Sequence, residues 1–337
     1  MWIKNLAVIT GSIFISLILL EISFRYFEIG FGNNPLENSR TYHHVHPKNY
    51  SFKMHDPNSE YGGYNVYYDD SRFRSPDQNT NITESYNTPD SIIFLGDSFT
   101  EGIQVNYQDS FVSLINLALD LPTLNLGVSS YSPTIYYLQS KYILNKLLGE
   151  TVIMQIYVND FYDDNLFIEK AILKKNELVG IDGGKNNHVI RFLRKSYVAR
   201  FIRRSQLIIK KILSEPRNFN LSGAYEYEQN ISDVDIKNTV KMIKRTEMTL
   251  KKQNKRLFVF LVPSKALSLQ NKCCQSDNLY KRFYNQLAKN EISLIDVAPY
   301  FENYNNQNKL FFPKDPHLTE EGHKLISEAI VNLFNRN

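Results

Sequence analysis

From residue 91 onward the chain alternates short apolar runs with stretches of helical period. The runs are Ile92–Leu95, Leu121–Leu126, Thr151–Val158, Leu257–Val262 and Ile292–Asp296, separated by turn residues such as Gly96, Gly127 and Asn159. Runs of this length read as buried strands. Between them, Asp109 or Ser110 can cap a helix that turns Phe111, Leu114, Ile115 and Ala118 to one side. Ser132-Pro133 opens another, running to about Leu148, because proline suits the first helical position. Asp277 to Lys289 reads as a third. Thr319-Glu-Glu-Gly starts the last, which runs to about Phe334 with Leu325, Ile326, Ile330 and Phe334 inward. Strand and helix in alternation predict βαβ units, hence an α/β fold with a parallel sheet between helical layers.

Two stretches interrupt this rhythm. Residues 26–90 are polar, aromatic and turn-rich, and read as an extension packed on the main domain, with strands or a hairpin in Tyr61–Tyr68. Residues 161–254 read as a helical insertion, ending in a helix from Ser232 or Asp233 to Gln253. Inside it, His188–Ile212 carries Arg191, Arg194, Lys195, Arg200, Arg203, Arg204, Lys210 and Lys211 among Phe192, Leu193, Val198, Phe201, Ile202, Ile208 and Ile209. That spacing is close to helical. Its plain reading is a helix packed on the domain with a solvated basic face; its rival is a helix on an anionic membrane or acidic polymer.

The N-terminus changes the picture more than composition does. Asn5 to Leu20 is an uncharged, apolar run that Trp2 and Ile22–Phe24 extend to the length of a bilayer span. No small-residue cleavage site follows closely, so residues 1–25 read as a retained membrane anchor rather than a removed signal. Lys4 precedes the run while Glu21 and Arg25 nearly cancel after it, which places the body outside the cytoplasm. With 337 residues, 42% hydrophobic and 22% charged, the remainder is globular, and a net charge of +4 gives no sign of a nucleic-acid partner. Cys273 and Cys274 are neighbours and read as ordinary thiols, neither a disulfide framework nor a zinc spacing. Tyr42-His43-His44-Val45-His46 lacks a carboxylate or cysteine at a metal-site spacing, and no metal or organic cofactor is expected.

The candidate chemistry stands at the strand ends. Gly96-Asp97-Ser98 follows the first strand, where open α/β sheets bind ligands. It is not the Gly-x-Ser-x-Gly elbow, because Thr100 occupies the second glycine's place. Gly127 follows the second strand, Asn159 the third, and Asp315-Pro316-His317 precedes the last helix. Acyl transfer needs a nucleophile, a base, a group that orients the base, and donors for the oxyanion. Ser98 can be the first and the N–H groups of Ser98 and Gly127, with the Asn159 amide, the last. Asp97 reads as a cap, His323 as a packing residue, and Asp160, Asp163 and Asp164 as a solvated loop face.

In these motifs the chain resembles the SGNH (GDSL-like) hydrolase superfamily. Gly96-Asp97-Ser98, Asn125-Leu126-Gly127, Asn159-Asp160 and Asp315-Pro316-His317 are similar to four of its blocks, in order. The resemblance implies a three-layer, flavodoxin-like α/β/α sandwich over residues 91–337, with Ser98 as nucleophile, His317 as base and Asp315 as its partner. Most of the superfamily has aspartate three residues before the histidine; here Lys314 stands there and Asp315 is two before. That spacing resembles the alginate-type O-acetyltransferases of bacterial envelopes. The function implied is a serine esterase or O-acyltransferase on an O-acylated envelope carbohydrate or small ester. A non-catalytic, membrane-anchored glycan-binding module is the rival.

Overall fold

The computed structural model describes residues 2–27, 36–56, 59–184, 193, 196–213, 230–269 and 279–335. At its centre is a five-stranded parallel sheet of β1 (Ile92–Leu95), β2 (Thr123–Asn125), β3 (Thr151–Ile156), β4 (Arg256–Leu261) and β5 (Ser293–Leu294), in the order 2-1-3-4-5. Ile92 to Leu95 and Val152 to Met154 are all buried, as they must be when helices cover both faces. Each such side chain removed from water stabilises the fold by ~1.5–3 kcal/mol.

The helical layers follow from the capping residues read in the sequence. On one face, α3 (Phe111–Leu119) starts at Ser110, whose hydroxyl accepts from Ser113 N–H, and packs against α9 (Glu320–Phe334), capped by Thr319. On the other lie α4 (Pro133–Tyr142), α5 (Asp160–Glu169), α7 (Asp233–Lys251) and α8 (Leu279–Lys289). The insertion is therefore not separate from the core: Ile236, Val240, Ile243 and Leu250 of α7 are buried in it. A hairpin, Ala171–Lys174 with Glu177–Ile181, lies between α5 and the basic helix α6 (Tyr197–Leu213). No strand was expected in that segment. Part of the basic stretch and both cysteines lie outside the described residues.

The extension has its own small sheet, a Tyr50–His55 and Gly62–Tyr68 hairpin joined by Arg74–Ser75. Phe52, Met54, Val66 and Tyr68 form a satellite core there with Ile103. At the N-terminus α1 (Trp2–Tyr26) is one continuous helix. Its Val8–Tyr26 part has a mean hydropathy of 1.8, none of it is buried, and it is long and apolar enough to cross a membrane.

Candidate active site

The sheet order reverses between β1 and β3, which makes the crevice beyond their carboxyl ends the site where such folds bind ligands. Ser98 stands immediately past β1, as the first residue of the one-turn helix α2 (Ser98–Glu101), and Asn159 immediately past β3. The first N–H of a helix has no intrahelical acceptor, so that of Ser98 is not used by α2. His317 comes from the loop before α9 and Asp315 from the same loop. The Ser98 hydroxyl donates to His317 Nε2 at 2.7 Å, and His317 Nδ1–H donates to Asp315 Oδ1 at 2.5 Å. Asp315 Oδ1 also accepts the backbone N–H of His317 at 2.9 Å. The two-residue spacing thus lets one carboxylate oxygen take both donors of the same residue. The imidazole lies against Phe99, whose ring is itself covered by Tyr157.

Burial alone would raise the pKa of Asp315, but His317 and the Tyr61 hydroxyl outweigh it and hold the carboxyl below its ordinary value. Tyr61 is a residue the sequence pattern did not single out. It lies in the extension, donates to Asp315 Oδ2 at 2.8 Å, and stacks obliquely on Phe312. Next to it, Glu60 accepts the Lys314 N–H at 2.8 Å. Only the tyrosine-rich composition of Tyr61–Tyr68 hinted at a packed role there.

The turn that carries Ser98 is held from within. Asp97 accepts Phe99 N–H at 2.9 Å as a cap, and burial pushes its carboxyl up to about 6. Thr100, which stands where an elbow would have glycine, donates its hydroxyl to Gln155, and Gln155 also accepts Asp97 N–H. Asn125 donates to Thr100 O at 2.7 Å. Glu101 is fully buried, accepting from Tyr68 Oη at 2.5 Å and from Ser129 N–H at 2.7 Å, with His46 Nε2 at 3.1 Å. Burial would raise its pKa; His46, Ser129 and Tyr68 reverse that and lower it to about 2. Arg74, also buried, donates to the carbonyls of Glu101, Gly102 and Val105.

The oxyanion set is less uniform than its motifs. A Cβ on Gly127 would come within 2.5 Å of Glu101 N, so glycine is needed for the close approach of β2's end to α2. Its N–H, however, donates to Asn125 Oδ1 at 3.0 Å. Asn159 donates one amide hydrogen to Asp163 at 2.7 Å, which leaves the other to point elsewhere. Asp160 and Asp164 are fully buried rather than on a solvated face. Asp164 accepts from the Ser132 hydroxyl and from the Thr134 N–H at the start of α4. The histidines of residues 43–46 are engaged with one another, Lys170, Ser129 and Glu101. His323 accepts Phe111 N–H at 3.2 Å, and burial lowers it to about 3, a neutral packing residue.

Residues 221–337 match the family model of the SGNH hydrolase-like domain of the acetyltransferase AlgX. Over those residues the chain is SGNH hydrolase-like. The match takes in Asp315 and His317, and Ser98 lies upstream of it. A comparison with curated proteins finds no match. Among solved structures, the chain is similar to a lipolytic G-D-S-L family member from Veillonella parvula, at 14% identity and TM-score 0.41 over 73% of this chain and 99% of that one. The lipase/acylhydrolase of Enterococcus faecalis shares 10% identity with a TM-score of 0.41, over 72% of this chain and 94% of that one. A two-domain esterase active on acetylated mannans shares 10% identity with a TM-score of 0.42, over 73% of this chain and 49% of that one.

Proposed function

We propose that this SGNH hydrolase-like chain is a membrane-anchored serine esterase or O-acyltransferase acting on an O-acylated carbohydrate of the cell envelope. In this reading α1 spans the membrane, residues 26–90 brace the catalytic domain, residues 91–337 carry the chemistry, and the body lies outside the cytoplasm. The observation that carries it is the unbroken hydrogen-bond chain from Ser98 through His317 to Asp315, at 2.7 and 2.5 Å, at the mouth of the sheet.

Ser98 Oγ attacks the acyl carbonyl while His317 Nε2 takes its proton, and Asp315 stabilises the resulting imidazolium and its tautomer. The oxyanion accepts from Ser98 N–H and from the Asn159 amide hydrogen that Asp163 leaves unused. With the Gly127 N–H taken by Asn125, two donors serve rather than the three its motif implied. The imidazolium returns its proton to the departing sugar oxygen, leaving an acyl-serine. Water or a second sugar hydroxyl, deprotonated by His317, then releases the acyl group; hydrolysis and transfer use the same residues. The match to the acetyltransferase AlgX domain family supports acetyl as the group carried. The scheme uses no metal or organic cofactor.

A fluorophosphonate probe should label the wild type at Ser98, and Ser98→Ala should not label. His317→Ala should slow ester turnover by ~10⁴–10⁶-fold, with the double mutant little worse. A wild type that labels no faster than Ser98→Ala, yet binds acylated glycan, would replace the enzyme by a binding module.

A further inference from the structure

The proposed chemistry makes no use of α6. This helix begins against the C-terminal end of α1: Glu21 accepts from Ser196 Oγ at 2.8 Å, Tyr197 N–H at 3.1 Å and Val198 N–H at 3.0 Å. A carboxylate on the open N–H groups of a helix start is a favourable joint. Phe24 meets Phe201 with ring centroids 5.3 Å apart, and the Arg25 guanidinium lies over Tyr197. Among the described α1 side chains only Glu21, Ser23 and Phe24 lose exposure, so α6 departs from α1 after this joint instead of running along it.

Beyond the joint, α6 keeps an apolar face in the open. Val198, Phe201, Ile202 and Ile209 fall on one side by helical spacing; Phe201 meets Phe24 at the joint, while Ile202 and Ile209 continue that side and are 50% and 55% exposed. Arg200 and Arg203 fall on the other. Between Asp182 and Glu215 the sequence contains nine Lys and Arg and no acidic residue. A helix packed on the domain would bury its apolar face and show its basic one. An acidic polymer would pair the arginines and leave the apolar face wet. A lipid surface takes both, apolar side chains among the acyl chains and cations at the headgroups.

We infer that α6 lies in the plane of an anionic membrane surface beside the exit of α1, holding the catalytic domain against the bilayer. The inference rests on the reading of α1 as a span, and the test separates the two. The full chain, with its lone tryptophan removed (Trp2→Phe) and Ile209→Trp added, is reconstituted in phosphatidylcholine or equimolar phosphatidylcholine–phosphatidylglycerol vesicles. Brominated acyl chains should quench the tryptophan strongly in the anionic vesicles. Arg200→Glu with Arg203→Glu should weaken that docking by at least about ten-fold, since one arginine near an anionic surface is worth ~1 kcal/mol, or about five-fold. Turnover of a soluble ester should be unchanged. Co-flotation that survives an alkaline wash reports the span independently. An unquenched position 209 in a chain that stays membrane-bound overturns the docking and keeps the span. A quenched position 209 in a chain that washes off keeps the docking and removes the span.

Discussion

Ser98 and His317 share one hydrogen bond, but they are supported by different means. The Ser98 turn sits on the sheet: its caps and clamps, Asp97, Thr100, Glu101, Asn125 and Gln155, are all buried. The loop that carries His317 is a surface segment. His317 and Asp315 keep 20% and 19% side-chain exposure, and most of what fixes them comes from outside the loop. Tyr61 and Glu60 reach in from the extension, while Lys265 Nζ donates to the carbonyls of Phe312 and Pro313, both at 2.7 Å. A buried scaffold gives the serine one position, at the cost of burying charges that must be matched. A braced loop gives the base a position that depends on its braces. Damage to the first half should therefore appear as lost stability, and damage to the second as lost rate.

The sharpest test is Asp315→Asn. If Asp315 orients His317, turnover should fall by ~10⁴-fold while the thermal midpoint barely moves. Near-normal turnover would leave a Ser98–His317 dyad and reduce Asp315 to a turn residue.

Glu101→Gln probes the buried half. With its folded pKa lowered to about 2 from an ordinary 4.5, the carboxylate contributes stability above about pH 4.5, lost as pH falls toward 2. The glutamine variant should be ~3 kcal/mol less stable at pH 7 in denaturant titrations, and the gap should close on acidification. A gap independent of pH would show that shape, not charge, matters at Glu101.

Tyr61→Phe should have the smallest effect. Losing one hydrogen bond to a charged, partly buried carboxylate should lower kcat about ten-fold with KM and the thermal midpoint nearly unchanged. An unchanged kcat would mean that the loop holds Asp315 without the extension.

The same contrast explains what the sequence disclosed. Strands such as Ile92–Leu95, caps such as Ser110 and Thr319, and the parallel sheet were legible because each is written in neighbouring residues. Ser98, Asn159, Asp315 and His317 stood out because each ends a strand or precedes the last helix. Tyr61 did not, since nothing local marks a tyrosine whose partner lies 254 residues away. The Glu101 network was equally hidden, because His46, Tyr68 and Ser129 each belong to a different segment. The acidic residues after Asn159 misled: their composition suggested water, whereas Asp160 and Asp164 accept the backbone N–H groups of Tyr157 and Thr134 inside the core. The Gly127 motif was visible, but not that Asn125 would take its N–H.

The 219 residues between Ser98 and His317 also set a schedule for the growing chain. Glu101, Tyr68, Ser129 and Gln155 are synthesised close together, so the serine's pocket is buildable while the rest is still on the ribosome. The proton acceptor is not. At ~5–20 residues per second the histidine follows the serine by roughly 10–40 s. The Tyr61 brace must wait as well, because its partner Asp315 stands only two residues before His317. On the chemistry proposed above, a nascent or truncated chain therefore carries Ser98 without its base, and reactivity should begin only once His317 is in place.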